Sequence, residues 1–148
     1  MYHLDKYLWK PGWERVPEED FNKEHDVILD TGVWIIEGVA YFSALKRRLL
    51  ASDVIIYFKL DPSILKKRAL IRMKEEKVRP NPFTNSCPYD ETPENIIAQN
   101  KGIDGFKAYE KDLDEFIASI KGNKKILYVQ EEIESEILAK NIFFDLEA

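Results

Sequence analysis

A chain of 148 residues is long enough for one domain and can bury roughly 68–70% of its unfolded surface without disulfide or metal support. Hydrophobic residues at 45% and charged residues at 33% mark a globular chain and exclude a disordered one. The net charge of −5 argues against a general nucleic-acid-binding surface. One cysteine, Cys87, forms no internal disulfide, and with only two histidines a standard zinc site is excluded. The longest uncharged stretch, Pro80 to Tyr89, is polar and proline-rich, so no membrane span is expected. Met-Tyr-His-Leu-Asp at the start shows no basic segment leading into an apolar one, and a cytoplasmic location is expected.

In chain order, Tyr2 to Leu4 reads as a short strand end and Lys10-Pro11-Gly12-Trp13 as a turn. Pro17-Glu18-Glu19-Asp20 opens a helix, with acids at its positive end, that carries Phe21, Val27, Ile28 and Leu29 and stops near Asp30-Thr31-Gly32. Val33-Trp34-Ile35-Ile36 reads as a strand buried on both faces, with Trp34 in the core. Tyr41 to Leu50 has helical spacing, with Arg47 and Arg48 on its polar side. Val54 to Phe58 is the clearest strand. Asp61 then caps a helix with Pro62 in its first position, running to about Lys77.

Pro80 to Pro93 reads as a long loop. Thr92 and Pro93 repeat the cap-then-proline signal and start a helix that ends before Gly122-Asn123, with Gly102 and Gly105 able to bend or interrupt it. Ile126 to Val129 is a further strand, and Glu131 to Lys140 a last helix. Strands alternating with helices at this spacing predict one α/β domain over residues 1–148 with a mostly parallel sheet.

Ligands of parallel α/β sheets bind beyond the carboxyl ends of the strands. That rule selects Asp5 and Glu37, two carboxylates facing one crevice, able to orient a hydroxyl or hold a hydrated Mg²⁺. Each would equally serve as a plain cap of the segment that follows. Arg68 and Arg72, four residues apart, share a face of a basic helix and suit phosphate oxygens, unless that face is merely solvated. Trp9 and Trp13 bracket Lys-Pro-Gly, where their rings either stack on a flat ligand or pack the loop down. Cys87 reads as incidental, and His3 and His25 have no evident partner.

Residues His3 to Trp13, His-Leu-Asp-Lys-Tyr-Leu-Trp-Lys-Pro-Gly-Trp, resemble the "HLD…YWKPGW" signature of the DNA topology modulation proteins, P-loop kinase-like relatives of adenylate and shikimate kinases. Trp34-Ile35-Ile36-Glu37-Gly38 resembles that family's "WIIDGNY" segment, and Ser52 to Pro62 with the basic residues after it resembles its strand-then-lid-helix region. The similarity spans roughly residues 2 to 80. It implies a P-loop NTPase-type core of the nucleoside/nucleotide-kinase kind, a lid-like segment at about 62–93, and phosphoryl transfer from ATP with Mg²⁺ to a nucleotide or small molecule. It implies catalytic roles for Asp5, Glu37, Arg68 and Arg72, and acceptor contacts from Trp9, Trp13, Gly38, Arg47 and Arg48. None of the six glycines opens the family's phosphate-binding G-x-x-x-x-G-K-[ST] loop, and the "DGNY" motif stands here as Glu37-Gly38-Val39-Ala40-Tyr41. The resemblance therefore implies a family core lacking its first strand and phosphate loop, weak or inactive alone. In that family the first strand is central, so its loss leaves two sheet edges to be completed. The alternative is a non-catalytic pseudokinase or structural module needing no cofactor, whose open edges bind another copy or a protein partner.

Overall fold

The computed structural model of the chain describes residues 1–76, 87, 92–108, 110–131, 137 and 140. Strand β1 (Tyr2–His3) leads into a short helix α1 (Asp5–Leu8), then a hairpin of β2 (Trp9–Lys10) and β3 (Glu14–Arg15). Helix α2 (Glu18–Leu29), strand β4 (Ile36–Glu37), helix α3 (Phe42–Ala51) and strand β5 (Val54–Phe58) follow. Helices α4 (Pro62–Glu76), α5 (Pro93–Ala108) and α6 (Glu110–Ile120) precede the last described strand, β6 (Lys125–Val129).

The class is α/β, but among the described residues the strands make three two-stranded sheets rather than one. β1 pairs with β4 in parallel, β5 with β6 in parallel, and β2 with β3 antiparallel. Neighbouring residues of a parallel strand point their backbone groups to opposite edges. Lys125 N–H donates to Asp53 O and Lys59 N–H to Val129 O, so the N–H and C=O groups of Val54, Ile56 and Phe58 face the other edge of β5. Tyr2 N–H and Leu4 N–H donate to the carbonyls of Ile35 and Glu37, which turns those of Ile36 away from β1. Neither edge is paired among the described residues.

One sequence expectation is corrected here. Val33 to Ile36 is not a strand buried on both faces: only Ile36 enters the ladder, Val33 is 91% exposed and Ile35 67%, and Trp34 is half-buried. A β-branched run can predict a strand, but burial on two faces needs layers on both sides.

Two apolar clusters meet at α3. Ala44 joins Leu4, Leu8 and Phe21, whereas Leu45 and Leu49 join Ile55 and Tyr57 of β5 and Leu113 and Ile117 of α6. The polar side assigned to this helix is also corrected, since Arg48 is buried.

Both cap-then-proline signals behave as their chemistry dictates. Asp61 Oδ1 accepts from Ser63 N–H at 2.8 Å and Ser63 O–H at 2.6 Å, and Thr92 Oγ1 accepts from Asn95 N–H at 3.2 Å. Gly102 and Gly105 lie inside α5 and do not end it. Most of Pro80–Pro93 and of the helix expected at Glu131–Lys140 lies outside the described residues. Among the described residues no helix is long and apolar enough to cross a membrane.

His25 is buried on α2, stacked 6.0 Å from Phe21, and its Nε2 meets no hydrogen-bond partner among the described residues. Burial pushes its pKa down; Asp26 opposes this by hydrogen bonding, while Arg48 and Arg47 add to it. The folded state therefore favours neutral imidazole, whose contribution is present above the unfolded pKa of about 6.5 and is lost as pH falls through it. Denaturant titrations should show stability dropping below about pH 6.5, with a shallower drop in His25→Gln. Ile117→Ala should cost about 2–5 kcal/mol, while Val33→Thr should stay within about 0.5 kcal/mol. Equal costs would restore the buried reading of Val33–Ile36.

Candidate functional site

Because β1 and β4 are parallel neighbours, their carboxyl ends bring His3, Asp5 and Glu37 together. His3 Nδ1 lies 2.6 Å from Glu37 Oε1, which gives His3 the partner that the sequence did not reveal. Asp5 is the first residue of α1 and half-buried. Burial pushes its carboxyl above the usual carboxylate range, and the Glu37 charge adds to this. A hydrogen bond from Trp9 and the charges of Arg72 and His3 pull the other way. The ionisation of Asp5 thus responds to Glu37 from the neighbouring strand and to Arg72 from α4. The two carboxylates meet at neighbouring strand ends; Arg72, exposed on α4, reaches Asp5 only through its charge, with no hydrogen bond or ion pair to either carboxylate among the described residues.

Gly38 follows directly. Its φ of +103° is a backbone conformation that side-chain-bearing residues rarely adopt, so glycine is required by the backbone, while Leu4 Cβ lies at an ordinary contact distance of 3.4 Å from the position a Cβ would take. Its carbonyl accepts a hydrogen bond from Arg48 Nη2. Arg48 therefore acts from beneath, fixing the turn that presents Glu37, and not as an exposed acceptor contact. Arg47 is elsewhere, bound through Nε to Asp26 Oδ1 at 3.0 Å. Arg68 is exposed on α4, and among the described residues no hydrogen bond or ion pair joins it to Asp5 or Glu37.

The tryptophans are committed to one another. Trp9 and Trp13 pack edge to face with centroids 5.3 Å apart, and the Arg15 guanidinium lies 5.2 Å from the Trp9 centroid. Trp13 holds a left-handed φ of 62°, as a tight hairpin turn requires. Cys87, incidental by its sequence context, is buried against this hairpin. Its Sγ receives a hydrogen bond from Trp13 N–H at 3.4 Å, and its S–H donates to Lys10 O at 3.2 Å. The pairing spans more than seventy residues of chain, which no local pattern could announce.

Two juxtaposed carboxylates, one with a raised pKa, can share a proton or orient a hydroxyl. Among the described residues no group of three or more His, Cys, Asp or Glu side chains could hold a metal ion. Mg²⁺ commonly uses only one or two carboxylates together with substrate phosphates. No family model matches the sequence, and neither the curated proteins nor the solved structures give a match.

Holding Asp5 ionised at neutral pH works against folding, because its folded pKa is raised and the favourable contribution is lost as pH rises through it. Asp5→Asn keeps the acceptor for Trp9 and removes the charge. Its thermal midpoint at pH 7 should exceed the wild type's, with the difference closing as pH falls into the carboxylate range. A lower midpoint at pH 7 would mean that Arg72 outweighs burial and Glu37.

Proposed function

We propose that this chain is the acceptor side of a P-loop-kinase-like phosphoryl-transfer domain. Asp5 and Glu37 would orient and deprotonate an acceptor hydroxyl, and Arg72, with Arg68 beside it on α4, would hold phosphate oxygens. The observation that carries the reading is the meeting of Asp5 and Glu37 at the carboxyl ends of two parallel strands, with the charge of Arg72 on α4 felt at Asp5. It agrees with the roles implied by the resemblance of residues 3–13 and 34–38 to the DNA topology modulation proteins. A guanidinium near two carboxylates suits a phosphorylated ligand, which neutralises the cation while the carboxylates engage a hydroxyl.

The 148 residues contain no glycine-rich phosphate loop, so they do not fit a nucleotide triphosphate by themselves. Catalysis with ATP and Mg²⁺ would need a cradle beyond these residues. A specific observation favours a second reading, a non-catalytic module: the outward backbone groups of Ile36 and of Val54, Ile56 and Phe58 are unpaired among the described residues. A strand from another chain would complete such edges.

Calorimetric titration with ATP·Mg²⁺, alongside mass in solution, separates the two. Binding tighter than about 100 μM, equivalent to roughly −5.5 kcal/mol, would mean that the chain forms a phosphate cradle despite lacking the motif, and would support the kinase-like reading. Replacing Arg72 with alanine then weakens that binding by about tenfold or more. Absence of binding together with a dimer or larger species would instead establish the assembly module.

A further inference from the structure

Helices α4 and α5 lie side by side, yet no residue of α5 is buried and a cavity of about 290 Å³ remains between them. The space is a groove partly open to solvent between the two helices, with an apolar floor and polar groups at its rim. Its lining is ordered by chemistry. Ala69 and Met73 are almost wholly buried and form the floor, while the half-buried Leu70 and Ile96 add apolar walls. Gln99 and Asn100 contribute amides from α5, and the exposed Lys67 contributes an ammonium from α4. Lys66, the other cation in the lining, is paired with Asp104 at 2.7 Å, which ties the two helices together.

The surroundings set the sign of charge that the cavity receives. The chain is acidic overall, but α4 carries Lys66, Lys67, Arg68, Arg72 and Lys74 against only Glu75 and Glu76. A concave, mainly apolar site with a few converging polar groups is the usual form of a small-molecule pocket. We infer that the cleft between α4 and α5 is a binding site for a small organic acid, its apolar body over Ala69 and Met73 and its carboxylate at Lys67 beside the Gln99 and Asn100 amides. None of these residues belongs to the Asp5–Glu37 pair, so the inference stands apart from the phosphoryl-transfer reading.

The probe is 1-naphthoate, titrated calorimetrically into the full chain. Saturable one-to-one binding is expected, weakened about tenfold by Lys67→Glu or by using the uncharged 1-naphthamide. Leu70→Trp should abolish it by filling the cavity, as should Gln99→Trp from the α5 side if the first variant fails to fold. Ile56→Lys, on the exposed β5 face, should leave it unchanged. Failure to saturate at millimolar probe would overturn the assignment. So would binding that survives both tryptophan variants or disappears in Ile56→Lys.

Discussion

The architecture depends on one helix having two partners. Ala44 of α3 packs into the cluster of Leu4, Leu8 and Phe21, and the next residue, Leu45, packs with Leu49 against β5 and α6. Adjacent helical residues point about 100° apart, so a single helix can serve two faces only if the structures it joins lie on different sides of it. The two parallel strand pairs share no ladder among the described residues; contact through α3 takes its place. Side-chain packing without a backbone ladder tolerates small rotations, whereas a ladder fixes register.

The same helix ties packing to chemistry. Arg48, buried with its guanidinium on the Gly38 carbonyl, connects the middle of α3 to the turn that presents Glu37. A buried cation needs a close acceptor to offset lost hydration, and a carbonyl exposed by a left-handed glycine supplies one. Asp5 shows the opposite balance. Burial and a neighbouring carboxylate raise its pKa, and only partial relief comes from Trp9, Arg72 and His3. Burial and like charge are also the means by which catalytic carboxylates acquire raised pKa values.

Legibility followed the range of the interaction. Val54–Phe58 and the caps at Asp61 and Thr92 could be read because each rests on residues within one turn of itself. The nearness of Asp5 to Glu37 could be read because parallel strand ends share a direction, a rule of topology and not of contact. Val33–Ile36 misled because the layer its apolar side chains anticipate is not among the described residues. The β2–β3 hairpin and α1 are too short for periodicity to register. Arg48 was hidden because its acceptor is created by the positive φ of a glycine ten residues earlier. The His3–Glu37 pairing depends on strand register, which composition does not encode.

Cys87 is the protein's only thiol, and it is seated between a carbonyl and an N–H of the Trp9–Trp13 hairpin. A thiol in that position reacts with an alkylating reagent only during moments of separation from the hairpin. When reclosing is faster than chemistry, the labelling rate is the reagent's intrinsic rate scaled by the open fraction. The molecule therefore carries a native chemical clock beside its candidate site. Without any introduced label, its rate reads the free energy of that one separation wherever the local opening costs less than global unfolding.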